Sequence, residues 1–404
     1  MSNCTAEEWY ISGISGQSSQ ETLYCLTRGQ SIGLTITTEA AFLSVIAVTG
    51  LFLLILRNIY LQWRSKSSGT KWGFFEEPTD IYMVSLFLSD LLQATGYLLD
   101  VKWINEGKVY TGGFCTAQGI IQQMGETGVA MATLVISLHT FMGLFWSIGI
   151  QGRAARLTAL AIVTCIWIFV ILFCGLGAGL HNTTGDLYET PTPYWCWVSG
   201  KFMEERIAGE YFWIWAALFV SIIVYVPLYF WSQGRLSVDP AQWWKFRVRK
   251  PTNPQEQQAR RSQALAMLAY PISYSILVLP LTIGRYIGFG LESEGKSVPS
   301  VVTFIVISLF CLSGAVNVVL IVVTRPGLLL FRIRRTPKDD EHEMSGPHSS
   351  VRRVHQGVSI DNSAPAAVPG LGALNDDNGW DLPLDRRSVA SSYLASDSKA
   401  ELRT

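Results

Sequence analysis

FCTAQGIIQQMGETGVAMATLVISLHTFMGLFW, residues Phe114–Trp146, is the stretch on which the fold turns. A helix needs about 20 residues to cross roughly 30 Å of hydrocarbon, and this run exceeds that length. Yet it carries Glu126 in its interior. An ionised group at mid-bilayer costs roughly 2.5–3.5 kcal/mol on insertion scales and faces protein rather than lipid. Steps of four and three residues put Cys115, Gly119, Gln122, Glu126 and Val129 on one helical face, with Gln118 and Gln123 on either side. The stretch predicts the central helix of a membrane bundle.

Outward from it, further apolar runs of spanning length occur at 40–62, 80–102, 156–180, 210–233, 264–287 and 299–324. The expected fold is an all-α membrane protein, a seven-transmembrane helix bundle. Composition agrees, because 49% of the 404 residues are hydrophobic and 15% charged, against roughly a quarter charged in ordinary globular proteins. The formal net charge is zero and gives no reason to expect a nucleic-acid partner. Lys and Arg number about 17 at one set of loop ends and roughly 7 at the other, which makes the richer side cytoplasmic and the N-terminus outside. Two sequons, at Asn3 and Asn182, fall on the expected outer face as glycosylation sites.

The expected divisions are an extracellular segment over 1–39, the seven-span domain over 40–335 and a disordered cytoplasmic tail over 336–404. No cleavable signal peptide is evident, so the first span directs insertion. Just after the seventh span, Gly327–Arg335 predicts a short helix on the inner membrane surface. The inner-loop run Trp243–Lys250 mixes aromatics with cations and suits an anionic headgroup layer. The tail is too polar to offset the entropy of ordering, and Ser388, Ser391 and Ser392 follow Arg386-Arg387 as candidate phosphorylation sites for a kinase, with arrestin-like proteins as further partners.

Of seven cysteines, Cys115 and Cys196 lie at span edges where a bridge would tie the outer loop over the bundle mouth. Cys4 and Cys25 either pair or stay free. Only His139 and His181 of the five histidines lie near a span, at opposite faces, so neither a metal site nor a cofactor is expected and no catalytic set is found. The chain is not expected to be an enzyme.

Asp90 lies midway along the second span and Glu126 about three turns below Cys115. Asp100, Lys102 and Trp103 at the outer end of the second span, Arg206 and Glu210 at the start of the fifth and Arg285 at the end of the sixth are rim residues, able to line a vestibule or to snorkel to water. With Gln122 they form the candidate ligand set: Glu126, Gln122, Asp100, Trp103, Glu210 and Arg285. Pro271 and Pro280 predict bends in the sixth helix.

Seven spans, the Cys115 and Cys196 positions, Asp90 and a proline-bent sixth span together resemble a G-protein-coupled receptor. Ser137-Leu138-His139-Thr140-Phe141, Tyr194-Trp195-Cys196-Trp197-Val198, Tyr270-Pro271 with Tyr274, and Gly314–Asn317 running to Thr324-Arg325-Pro326 resemble the fungal receptors grouped with the slime-mould cyclic-AMP receptors and the yeast glucose-sensing receptors. The chain departs from the rhodopsin-like class in placing His139-Thr140-Phe141 where that class has Asp-Arg-Tyr. The resemblance implies a plasma-membrane receptor for an extracellular small molecule, a nutrient or a cAMP-like compound, acting on a heterotrimeric G protein. It also implies helix coupling through Asp90, Asn317, Pro271 and Tyr274, and a G-protein-facing set of His139, Thr140, Arg260 and Arg261. A membrane transporter or channel for a small polar solute is the alternative, and it lacks visible paired repeats.

Overall fold

The computed structural model describes residues 4–15, 22–64, 77–145, 152–181, 187–232, 236–239, 242–248, 254–293 and 298–324. Asn3, Asn182, Gly327–Arg335 and the tail serines lie outside them.

Helix α1 (Ala6–Ser15) and strand β1 (Leu23–Cys25) precede the first long helix, α2 (Arg28–Arg64). This helix starts at Arg28, not near Ala40. The cause is local: Thr27 N donates to Gln30 Oε1 at 2.8 Å and Gln30 N to Thr27 Oγ1 at 3.3 Å, a reciprocal cap that satisfies two otherwise orphaned donors. Next come α3 (Pro78–Leu98), α4 (Asp100–Glu106), β2 (Lys108–Tyr110), α5 (Gly113–Phe145) and α6 (Arg153–His181). Gly107, at φ 67°, ends α4 in the left-handed region and lets the chain turn into β2. Strands β3 (Glu189–Pro191) and β4 (Cys196–Val198) form a hairpin, followed by α7 (Met203–Arg206), a π-helical turn (Ile207–Tyr211) and α8 (Phe212–Ser232).

Beyond α8, β5 (Leu236–Asp239) pairs antiparallel with β6 (Gln242–Val248). The expected aromatic and basic anchor is thus a strand pair in part, which membrane-surface reasoning from composition does not reveal. Helix α9 (Pro254–Ser293) follows. The seventh apolar run, expected as one helix, is two, α10 (Ser300–Cys311) and α11 (Ser313–Thr324), interrupted at Leu312.

Helix α5 is the central post: it packs against α3, α6, α8 and α9 and under the β3–β4 hairpin. Among the described residues, Arg28–Leu61, Pro78–Glu106, Arg153–His181, Gly200–Phe230 and Ser300–Thr324 are long and apolar enough to cross a membrane, and α9 has a shorter apolar part, Ile272–Gly288. Seven long helical segments are present among the described residues, and five of them have the composition of spans. Helix α5 is 33 residues long but more polar. Surrounded by other helices, it buries Gln118, Gln122, Gln123 and Glu126 in protein instead of presenting them to lipid.

The outside of the bundle is the apolar surface. Leu157, Leu160, Ile168, Ile171, Leu172, Leu176 and Leu180 are all exposed on α6, and Phe219, Ile222, Ile223 and Val226 on α8. Continuous apolar surface of this kind, far larger than soluble monomers expose, suits a hydrocarbon environment.

Candidate functional site

Two disulfides fix one end of the bundle. Cys115 at the start of α5 joins Cys196 of β4, and Cys4 joins Cys25 of β1. Strand β1 pairs with β2, and Lys108 forms an ion pair with Glu8 of α1, so the first residues are tied to the same end. Period-two alternation puts Trp197 of β4 on the side opposite Cys196, and Trp195 immediately precedes the strand. As Cys196 turns to α5, both indoles become almost wholly buried.

Gln118 anchors this lid. Its Oε1 accepts from Trp103 Nε1 at 2.6 Å and from Cys196 N at 3.2 Å, and its Nε2 donates to Asp100 Oδ1 at 2.5 Å and to Gly96 O at 3.3 Å. Asp100 and Trp103 are 0% exposed. They are not rim residues reaching for water, as snorkelling would require; they are spent on holding the lid, one turn of α5 nearer the disulfide than Gln122. Lys102 lies over the rings of Trp103, Tyr110 and Phe114 at 5.0, 5.0 and 4.3 Å, a cation–π arrangement.

Beneath the lid the other predicted residues converge. Glu126 Oε1 accepts from Tyr97 Oη of α3 at 2.8 Å and from Gln122 Nε2 at 3.1 Å. Glu210 Oε2 accepts from Trp197 Nε1 at 3.1 Å, and its carboxyl lies beside that of Glu126. The π turn makes this possible. Its extra residue shifts the helical register so that Glu210 and Tyr211 are both buried, and Thr127 Oγ1 holds it by donating to Gly209 O at 2.8 Å. Such turns recur at functional sites. Arg285 of α9 lies over the rings of Trp195 and Trp197, at 5.7 and 5.3 Å, and interacts electrostatically with Glu126, Glu210, Tyr97 and Tyr211. Arg206 donates from Nε to Val198 O at 2.6 Å, so it supports the hairpin.

Further along the bundle axis, Asn317 Nδ2 donates to Asp90 Oδ2 at 2.9 Å and Ser313 Oγ to Asp90 Oδ1 at 3.3 Å. The break at Leu312 frees Cys311 O to accept from Ser44 Oγ at 2.6 Å and Phe310 O to accept from Gln93 Nε2 at 3.3 Å. Polar side chains of α2 and α3 thus satisfy the carbonyls that the interruption exposes, as interior helix breaks require. Gly314 allows the close approach, since a Cβ there would lie 3.3 Å from the Cβ atoms of Asp90 and Ser44. Tyr274 of α9 is buried within electrostatic range of Glu126, Glu210 and Asp90, between the two levels.

At the opposite end His139 stacks edge-on against Tyr82, with centroids 5.4 Å apart. Thr140 is buried. Pro271, Arg260 and Arg261 lie on α9, and their side chains fall outside the described residues. Among those residues, no group of three or more His, Cys, Asp or Glu is placed to hold a metal ion.

Sequence reading missed Tyr97, Tyr211 and the four bonds of Gln118. Tyrosine in an apolar run gives no signal of its own, whereas the two tryptophans flanking Cys196 were a visible cue.

The bundle, the disulfide-tied lid and the polar levels below it define a helical membrane receptor. A family model described as 7 transmembrane receptor (rhodopsin family) matches residues 74–322, well over half of the chain, and the chain belongs to that family. The membership holds although His139-Thr140-Phe141 replaces the class's Asp-Arg-Tyr. No curated protein matches the chain. As a member of this family the protein is a membrane receptor that responds to a ligand and signals through a heterotrimeric G protein.

Proposed function

We propose that the chain is a cell-surface receptor that binds an extracellular small molecule at Glu126, Glu210 and Arg285 and passes the change to a G protein at the other end of the bundle. The observation that carries the reading is the convergence around Glu126 beneath the two lid tryptophans: Tyr97 of α3 and Gln122 of α5 bond to it, Glu210 of the π turn is bonded to Trp197, and Arg285 of α9 lies over both indoles. Ligand contact would favour one arrangement of these helices over another. Tyr274 links that level to Asp90 and Asn317, where α3 is bonded to α11.

In this reading the disulfide end is extracellular, residues 1–39 lie outside, 40–335 form the receptor domain, and 336–404 form a cytoplasmic tail that a kinase and arrestin-like proteins address through Ser388, Ser391 and Ser392. The basic-loop asymmetry supports the orientation, and Asn3 and Asn182 are then available for glycosylation. The quoted motifs support a fungal receptor of the nutrient- or cAMP-sensing kind in the plasma membrane. Nucleotide exchange on a reconstituted heterotrimeric G protein tests the reading. A compound should stimulate exchange through the wild-type receptor and lose about tenfold or more in potency with Glu126→Gln; proteoliposome uptake of a solute without any exchange would favour a transporter.

A further inference from the structure

Arg285 is held opposite two carboxyls without touching either. The ion pairs formed among the described residues are Lys108–Glu8 and His181–Glu205; Arg285 approaches no carboxylate within 4.0 Å, although Glu126 and Glu210 are among its main electrostatic partners. Arg285 is half-buried, and a cation left in this way loses hydration that its surroundings do not replace by contact. A second observation points the same way. Trp195 is 1% exposed and its Nε1 has no hydrogen-bond partner; Gln122 is also 1% exposed and its Oε1 has none.

These groups sort into two poles. The Trp195 indole lies against Arg285, so a buried N–H and a guanidinium, donors only, stand together. Gln122 Nε2 is bonded to Glu126, which fixes the unpartnered Oε1 of the same amide beside the carboxyl pair. Acceptors are gathered there. The carboxyls of Glu126 and Glu210 stand at that pole, and the Arg285 guanidinium at the other.

We propose that the ligand is a small zwitterion of the free α-amino-acid class. Its carboxylate bonds to Arg285 and Trp195 Nε1, and its ammonium to Gln122 Oε1 and the Glu126–Glu210 pair. The side chain lies along the indole faces of Trp195 and Trp197. A phosphate ester or cyclic nucleotide satisfies Arg285 but brings no cation to the acceptor pole. A simple amine does the reverse, and a neutral sugar compensates neither charge.

The inference rests on the reading of this cluster as the ligand site, and the test separates the two. Purified full-length receptor in nanodiscs is screened by thermal shift and by G-protein nucleotide exchange. The probes are the protein L-amino acids singly, the methyl ester and N-acetyl derivative of each active one, glucose and cyclic AMP. At least one free amino acid should stabilise the receptor and drive exchange. Blocking either end should weaken it about tenfold or more, the range expected for losing a charge-assisted bond. Trp195→Phe, which removes the unpartnered N–H together with a ring, and Gln122→Met, which removes the unpartnered Oε1 together with the donor to Glu126, should each lower melting modestly and, compared at matched folded concentration, weaken the amino acid about fivefold to tenfold. If the ester or the N-acetyl compound binds as well as its parent, or if no amino acid acts, the zwitterion assignment is wrong. Should glucose or cyclic AMP act instead, with potency dependent on Glu126, the ligand class falls and the site stands. Activation by any probe that Glu126→Gln leaves unaltered overturns both.

Discussion

Tyr97 on α3 donates its hydroxyl proton to Glu126 on α5 at 2.8 Å, where neither residue meets solvent. The bond ties the two most closely packed helices of the bundle at the level where the π turn delivers Glu210. Side-chain hydrogen bonds within membrane proteins contribute about 0.6 kcal/mol on average and up to about 1.7. Tyr97→Phe should lower stability by roughly that amount and leave the fold intact, because Gln122 still donates to Glu126. Unfolding of the purified receptor in micelles measures it, and a change near zero would mean that the bond is made and lost freely.

Asp90 should be coupled to Asn317 but not to the lid. A double-mutant cycle with Asp90→Ala and Asn317→Ala is expected to give an interaction energy of about 0.5–2 kcal/mol. A cycle of Asp90→Ala with Trp103→Phe should be additive within about 0.5 kcal/mol.

Removing the lid bridge should cost more than either. Cys196→Ser is expected to lower stability by about 2–4 kcal/mol in the usual range for a closed loop of this kind and to reduce yield of folded receptor. Cys165→Ser, at an exposed free cysteine, should change neither. Equal melting of the two variants would remove the bridge from the account.

Two glycines on α5 make predictions of different size. A Cβ at Gly125 would run into the backbone of Gln93, whereas one at Gly128 would meet only the Ser89 side chain. Backbone cannot rotate away, and a hydroxymethyl group can. Gly125→Ala should therefore destabilise by about 1–3 kcal/mol, as overpacking does, and Gly128→Ala by less. The order of the two melting temperatures checks the close α3–α5 approach.

The lid hairpin should respond to pH through Glu189. Burial pushes its carboxyl up to about 7 from an ordinary 4.5, so the folded state holds a proton that the unfolded chain releases. Stability is then greatest below about pH 4.5, falls as pH rises toward 7 and levels off above it. Glu189→Gln should abolish that slope and stabilise the protein at pH 8. An unchanged slope in the variant would assign the titration elsewhere.

Much of this arrangement was legible in the sequence, for identifiable reasons. Glu126 and Asp90 announce themselves because ionisable groups are rare in apolar helices, and Cys196 is conspicuous between two tryptophans. Arg285 and Glu210 were visible only as rim charges. What drew them inward was the π turn and the approach of α9 to the lid, features of backbone register with no composition signal. Asp100 looked like another rim charge and is instead consumed by Gln118. The start of α2 was encoded in Thr27 and Gln30, but hydropathy marks where a helix becomes apolar, not where it begins. The interruption at Leu312 left no trace of Pro or Gly at the break itself, and only the carbonyl partners Ser44 and Gln93 explain how it is tolerated.

The central claim is that Glu126 senses ligand and that this is felt at the G protein. The most direct measurement is the dose response of nucleotide exchange on a reconstituted heterotrimeric G protein, using the L-amino acid that most raises the receptor's melting temperature, for wild type and Glu126→Gln at matched folded concentration. The account predicts a potency loss of about tenfold or more in the variant, with its unliganded folding retained. Superimposable curves would contradict it.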